Sequence, residues 1–445
     1  MIGKWGPEYG GWRGGGFYRL MRILQISHYD RQGGACIAAY RQHQALLRAG
    51  VDSRMWVRHK ETADPAVMAH CPPAGISGRL RRLLRRYYLA SQQKRAGFLG
   101  ELFDDRSEHG GQERAGIPEC DLINVQFSQG FLDHPSFFRA LDPSIPVVVT
   151  LHEMSWFTGG CSYAGDCVNF RESCGHCPLL ANPGDNDFSR RAWLRREEAF
   201  ARRPAGSLHF VADSRWIAEQ AKASGLLKDY PVSVIHYGLD TAVYQPLDRR
   251  ASRHAFGIPD HLPVVAFCAA SVTDERKGMK HLVEAMEGLP EKPFLLTWGR
   301  SFPKALETVP HLHLGHIDSE HLMALTYNAA DLFVMPSLEE AFGQTALEAL
   351  ACAVPVVAFE VGGIPDMVRS EKTGLLVPKK DSRALSSAMR RLLGNSQFAQ
   401  KLGQSGRAMV VDEFTYAQNA KKYRKLYQSL LQSSGHAKIE VPALP

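Results

Sequence analysis

Asp331-Leu-Phe-Val-Met-Pro-Ser337-Leu-Glu-Glu340-Ala-Phe-Gly343-Gln-Thr-Ala-Leu-Glu348-Ala-Leu-Ala351 is the stretch on which the reading of the chain turns. A short apolar run ends at Pro336-Ser337, a loop carries Glu340, and helical spacing resumes after Phe342-Gly343 with Glu348 more than a turn inside it. Strand, loop and helix follow one another. Amides at such a helix start, with no bulky side chain at Gly343, suit an anion such as a diphosphate. Glu348 can accept hydrogen bonds from two neighbouring hydroxyls, as a ribose offers, while Glu340 faces whatever the phosphates carry. Either glutamate alone reads as a solvated surface charge. Their joint placement after a buried strand reverses that preference.

Working outward, short β-branched runs alternate with helix-patterned stretches along the chain, the pattern of parallel sheets. One series lies near 22–27, 52–57, 122–126, 147–151, 208–212 and 232–235. A second runs through 264–268, 294–297, 311–314, 332–335, 356–359 and 375–377. Two Rossmann-like α/β domains in tandem are expected, joined where His236-Tyr-Gly-Leu-Asp240 and Pro246 break the pattern. The expected division is a loosely ordered extension over 1–20, a first domain over 21–236 and a second over 237–415. A helix over 416–431 then returns to the first domain, and a flexible tail covers 432–445.

The composition fits this plan. The chain has 445 residues, 44% hydrophobic and 22% charged, enough to bury two large cores and too regular for a disordered protein. Fifty-three basic against 46 acidic residues give +7, which suits an acidic substrate or an anionic surface. No apolar run is long enough for a transmembrane helix or a signal-peptide core, so a cytoplasmic location is expected.

Glu340 and Glu348, embedded in Pro-Ser…Glu-Ala-Phe-Gly…Leu-Glu-Ala-Leu-Ala…Pro-Val-Val, resemble the E-x7-E signature of retaining glycosyltransferases of family 4. The resemblance implies the GT-B fold, two Rossmann-like domains facing a central cleft, and a nucleotide-diphosphate sugar as donor. It assigns the ribose to Glu348 and the donor sugar to Glu340. Upstream, Asp274-Glu-Arg276-Lys277-Gly278 stands where the family places an Arg and a Lys on the diphosphate. Lys277 matches, and Arg276 substitutes for an arginine expected a few residues earlier. Val361-Gly362-Gly363-Ile-Pro365 resembles the glycine loop beside the donor sugar, and Ser27-His-Tyr-Asp-Arg-Gln-Gly33-Gly34 the family's first glycine loop. His152, at the end of the run Val147–Leu151, corresponds to a histidine beside the donor sugar, with Glu153 where Asp is usual. The implied catalytic set is Glu340, His152, Lys277 and Arg276, with Glu348, Gly343, Gly33, Gly34, Gly362 and Gly363 binding the nucleotide sugar, and no metal needed for the chemistry.

Two segments stand outside that plan. In the Gly- and Pro-rich loop 152–190, Cys161-x5-Cys167-x6-Cys174-x2-Cys177 has the density of a structural zinc site. Reduced thiols, disulfides or an iron–sulfur cluster are the alternatives. The segment also resembles one from a bacterial exopolysaccharide subgroup that includes colanic acid glycosyltransferases, which implies a growing, lipid-linked glycan as acceptor. Farther upstream, Leu80, Leu83, Leu84, Tyr87 and Tyr88 fall on one helical face among Arg79, Arg81, Arg82, Arg85 and Arg86. That pattern fits either an anionic membrane surface or a stripe packed on the first domain. Two other readings are kept open. A metal-dependent GT-A enzyme is suggested by Asp185-Asn-Asp187, and a zinc-containing nucleic-acid-binding protein by the charge and cysteines, although no paired finger helix accompanies them.

Overall fold

The computed structural model describes residues 12–13, 16–17, 20–70, 76–92, 100–107, 116–301 and 309–434. The chain divides into two compact units, residues 1–238 with 419–445, and residues 239–418.

The first unit holds seven parallel strands: β1 Arg22–Tyr29, β2 Asp52–His59, β3 Val67–Ala69, β4 Leu122–Val125, β5 Val147–Leu151, β6 Leu208–Ala212 and β7 Val232–Val234, in the order β3-β2-β1-β4-β5-β6-β7. The second holds β8 Val264–Ser271, β9 Phe294–Arg300, β10 His311–His313, β11 Leu332–Met335, β12 Val356–Phe359 and β13 Gly374–Val377, ordered β10-β9-β8-β11-β12-β13 and parallel throughout. In each sheet the strand order reverses beside the first strand, between β1 and β4 and between β8 and β11. Open parallel sheets receive ligands at the carboxyl ends of strands flanking such a reversal. The central strands β4, β5, β11 and β12 are buried along their whole length, which explains why they read as continuous apolar runs. Strand β3, three residues at the sheet edge, escapes a pattern reading because so short a run shows no period.

Two details depart from the sequence expectation. Within the extension expected to be loosely ordered, Trp12–Arg13 and Gly16–Phe17 pair as a two-stranded antiparallel ladder. The C-terminal helix, Tyr416–Ser433, extends two residues into the expected tail, while 435–445 lie outside the described residues. From Asn419 this helix belongs to the first unit. Its Tyr427 hydroxyl, buried in that core, receives hydrogen bonds from Asn124 at 2.7 Å, Gln42 at 3.1 Å and Gln25 at 3.5 Å. One phenol oxygen thus gathers the amide nitrogens of three buried side chains whose oxygens are engaged elsewhere.

Candidate functional site

In the second unit the loops after β8 and β11, on either side of the strand-order reversal, are built against each other. Asp274 caps the short turn Glu275–Lys277 by accepting from the Arg276 amide at 3.0 Å. Gly278 follows with φ +74, and a Cβ there would lie 1.9 Å from the Pro336 carbonyl oxygen. Only glycine permits that approach. The Leu338 amide then donates to the Arg276 carbonyl at 2.7 Å, and the Arg276 guanidinium to the Glu339 carbonyl at 3.0 Å.

This splicing places Lys277 Nζ 2.5 Å from Glu340 Oε2, with Arg276 Nη1 at 3.8 Å from the same oxygen. Burial alone would raise the Glu340 carboxyl, but Lys277 and Arg276 outweigh it and hold the group below its ordinary value. The glycine loop braces the other side. Gly362 has φ +53, a Cβ there would meet the Glu340 carbonyl oxygen at 1.8 Å, and the Gly363 amide donates to that oxygen at 3.1 Å. Gly343, at φ +106, precedes the helix Gln344–Ala351, and the Leu347 and Ala346 amides turn back to its carbonyl. Arg276, Lys277, Glu340, Gly362 and Gly363 therefore form one cluster at the carboxyl ends of β8, β11 and β12.

Glu348 sits deeper than its motif suggested. It is buried, and its Oε2 accepts from the Tyr327 hydroxyl at 2.8 Å. Tyr327 comes from the helix Glu320–Asn328 and also meets Cys268 on β8 at 3.5 Å. The sequence held no sign of this tyrosine, which looks like any apolar residue on a core-facing helix.

In the first unit His152 follows β5 and is buried. Its Nε2 lies 2.8 Å from Gln126 Oε1 and its Nδ1 lies 2.6 Å from the Tyr237 hydroxyl, which donates to Asp213 Oδ2 at 2.7 Å. Gln126 uses its amide nitrogen on Gln25 at 2.7 Å and Gln42 at 2.9 Å, so its oxygen is the atom turned to the histidine. An amide oxygen only accepts, so Nε2 carries the proton of the neutral ring, and the bare Nδ1 competes with Asp213 for the one Tyr237 hydroxyl proton. Burial lowers the His152 pKa to about 3. The adjacent Glu153 is pushed up to about 8 by burial, against hydrogen bonds from the Ser155 hydroxyl and the Ser155 amide, the latter at 2.6 Å. Gln126, Tyr237 and Asp213 come from loops far apart in sequence and carried no motif. Gly33, at φ +79, starts the helix Gly34–Arg48 after β1, and a Cβ there would meet nothing within 4 Å. Backbone conformation, not crowding, is what favours glycine at this turn.

Cys161, Cys167, Cys174 and Cys177 line one small cavity with Gly159, Gly175 and Ser189, and all four are free thiols. Left-handed backbone at Cys174, Gly175 and His176 folds the loop around it. Burial raises the Cys174 thiol to about 12 and shifts Cys161 and Cys177 upward too. Among the described residues no three His, Cys, Asp or Glu side chains are already set to hold a metal ion. The fully buried Arg196, on the helix that follows this loop, donates to the carbonyls of Ser155 and Thr158 in the turn after His152. Asp185-Asn-Asp187 is not a metal motif in this fold. Asp187 caps the helix Phe188–Ala201 and accepts from the Cys177 amide at 2.9 Å, while the exposed Asp185 pairs with His176. With two parallel sheets and these caps, the GT-A reading does not hold.

Comparison with known proteins places the second unit. Residues 263–395 match the family described as glycosyl transferases group 1. Among curated relatives, a D-inositol 3-phosphate glycosyltransferase of Mycobacteroides abscessus is 36% identical over 175 residues, 36% of this chain and 39% of the relative. An alpha-maltose-1-phosphate synthase of Mycolicibacterium smegmatis is 26% identical over 322 residues, 63% of this chain and 79% of the relative. The match to the first relative thus spans about two fifths of that protein's length. Neither relative is named for exopolysaccharide synthesis. Sucrose-phosphate synthase from Thermosynechococcus elongatus superposes with TM-score 0.67 at 22% identity, covering 93% of this chain and all of that one. Anabaena HepE in complex with UDP-glucose gives 0.64 at 17%, covering 92% and 100%. Both show the fold, two Rossmann-like α/β domains of the GT-B type.

Proposed function

We propose that the chain is a retaining glycosyltransferase of family 4 that takes a sugar from a nucleotide-diphosphate donor held by the second unit. The observation that carries this reading is the Lys277–Glu340 pair at 2.5 Å, flanked by Arg276, inside the segment that matches the glycosyl transferases group 1 family. A cation at the carboxyl end of β8 is placed to meet an incoming diphosphate, and charge that builds on the leaving nucleotide needs such a donor. The donor's arrival would draw Lys277 toward phosphate oxygen and leave Glu340 facing the sugar. Glu348, held by Tyr327, is assigned to the ribose. His152, with its proton fixed on Nε2, is assigned to the reaction centre. A UDP-glucose complex in a protein of the same fold makes that donor the first to try. Incubation with a panel of nucleotide sugars and the anomeric configuration of the product test the reading, and activity is expected to survive EDTA. Inverted product, or turnover that requires a divalent metal, would defeat it.

For the acceptor we propose a lipid-linked glycan at the first unit. We also propose structural zinc at the four-thiol cavity. The fit rests on four sulfurs sharing one cavity, and closure requires their side chains to swing onto a common centre as the thiols give up their protons. Elemental analysis of untagged protein is expected to find about one zinc per chain, four thiolates closing one tetrahedral centre. Metal-free protein with four reactive thiols would contradict it.

A further inference from the structure

The basic helix Ile76–Gln92 presents two different faces, and only one of them is used by the fold. On the packed side, Arg85 pairs with Asp104, and Tyr88, 40% exposed, tilts against Phe188 with ring centroids 6.3 Å apart and receives the Arg191 guanidinium on its hydroxyl at 3.1 Å. Leu89 packs on Leu102, Cys177, Leu180, Phe188 and Ala192, and the Gln92 carbonyl accepts from the Ala181 amide at 2.8 Å. These four anchors, 85, 88, 89 and 92, share one face. Leu80, Leu83, Leu84 and Tyr87 repeat the same spacing on another face, roughly 140° around the helix at 100° per residue. They are 57%, 63%, 59% and 78% exposed. The expectation that the whole stripe packs on the first unit therefore fails for these four, and Tyr88 leaves the stripe to join the body of the protein.

We propose that this second face docks on the surface of an anionic lipid bilayer. Apolar side chains left in water as a continuous row mark a surface that something covers. The charges identify what covers it. The helix carries Arg79, Arg81, Arg82, Arg85 and Arg86 and no acidic residue, and its Arg85 is turned to an acidic partner, Asp104, on the packed side. Arg86, the neighbour of Tyr87, is exposed. An apolar stripe on an arginine-rich helix is the pattern of a helix lying in the headgroup boundary, with arginines on lipid phosphates and the tyrosine at the interface. Two copies of this helix packed face to face would set two arginine-rich helices together with no acidic residue on either, which disfavours self-association as the cover. The packed face fixes the helix to the first unit, so docking would hold that unit, the one assigned to the acceptor, at the membrane. The purpose rests on the transferase reading; the binding does not.

Co-sedimentation of the full chain with phosphatidylcholine vesicles, with and without phosphatidylglycerol, tests this directly. Binding is expected only with the anionic lipid and should weaken as salt rises. The triple substitution Leu83→Ser, Leu84→Ser, Tyr87→Ser should lower the partition at least about tenfold, since each side chain loses its apolar burial in the boundary. Arg82→Ser with Arg86→Ser should lower it further at low salt. All five positions lie on the first unit's helix and none belongs to the donor cluster, so nucleoside-diphosphate binding and thermal unfolding of the variants should match wild type and show that the fold is intact. Wild-type chain that ignores anionic vesicles at low salt, or a triple variant that binds them as well as wild type, would overturn the proposal. Concentration-dependent dimerisation abolished by the same substitutions, without lipid binding, would assign the face to a second copy and overturn it too.

Discussion

The two units solve the same placement problem with opposite electrostatics. In the second, the loop ends carry formal charge against formal charge, with Lys277 and Arg276 on Glu340, and this holds the carboxyl in its ionised form. In the first, His152 is held on one side by a neutral hydrogen-bond chain through Gln126 to Gln25, Gln42 and Tyr427 and on the other by Tyr237 with Asp213 behind it, in surroundings that suppress its charge. An ion pair can be opened by a ligand with more charge to offer. A buried amide network orients a side chain and resists exchange. The contrast suggests that the second unit is built to receive a diphosphate and the first to hold one ring still.

The comparison breaks most visibly at Lys277. Lys277→Ala should reduce turnover by about 2–4 kcal/mol of transition-state stabilisation, as loss of a preorganised charge does, with the fold intact by circular dichroism. Normal turnover would deny the second unit its charge-based role. Gly362→Ala comes next. A Cβ 1.8 Å from the Glu340 carbonyl at φ +53 must move the loop, and a loss of about 1–3 kcal/mol in thermal stability is expected, with turnover falling alongside. Tyr427→Phe attacks the neutral network instead. Three buried amides lose their shared partner, so the first unit should lose about 1–3 kcal/mol in denaturant titration while nucleotide affinity stays at its wild-type level.

The smallest effect is the pH signature, in which Glu153 of the first unit runs opposite in sign to Glu340 of the second. Glu153, raised to about 8 from 4.5, binds its proton more tightly folded than unfolded, so its contribution is complete below about 4.5 and declines as pH rises to about 8. His152, lowered to about 3 from 6.5, behaves oppositely: its contribution is present above about 6.5 and lost as pH falls toward 3. Glu340, lowered below 4.5, contributes above that value and loses it as pH falls through its folded pKa. Unfolding curves across pH should therefore show an alkaline limb that Glu153→Gln flattens. A limb unchanged in that variant would place its origin elsewhere.

What the sequence made legible follows the same division. Glu340, Lys277 and the glycines lie on loops that directly follow strands, where local spacing reports spatial neighbourhood, and the alternation of runs announced two parallel sheets. The His152 network could not be read that way. Gln25 and Tyr427 stand about four hundred positions apart in the chain, and only the return of the C-terminal helix brings them together. Tyr327 behind Glu348 was hidden for another reason: only 21 positions away, it looks like any apolar residue on a core-facing helix. The arginine-rich helix shows a third case. Periodicity disclosed its apolar stripe, but which residues faced the protein depended on Asp104, Phe188 and Leu102, which lie outside the helix.

Calorimetric titration with UDP of the wild type, Lys277→Ala and Glu340→Gln tests the central claim most directly. If Lys277 is held by Glu340 until a diphosphate takes it, Lys277→Ala should weaken binding by at least about tenfold, because the diphosphate then lacks one charge-assisted hydrogen bond. Glu340→Gln, which frees the lysine, should bind as tightly as wild type or tighter. Equal affinity in wild type and Lys277→Ala, or a Glu340→Gln variant that binds as poorly as Lys277→Ala, would contradict the account.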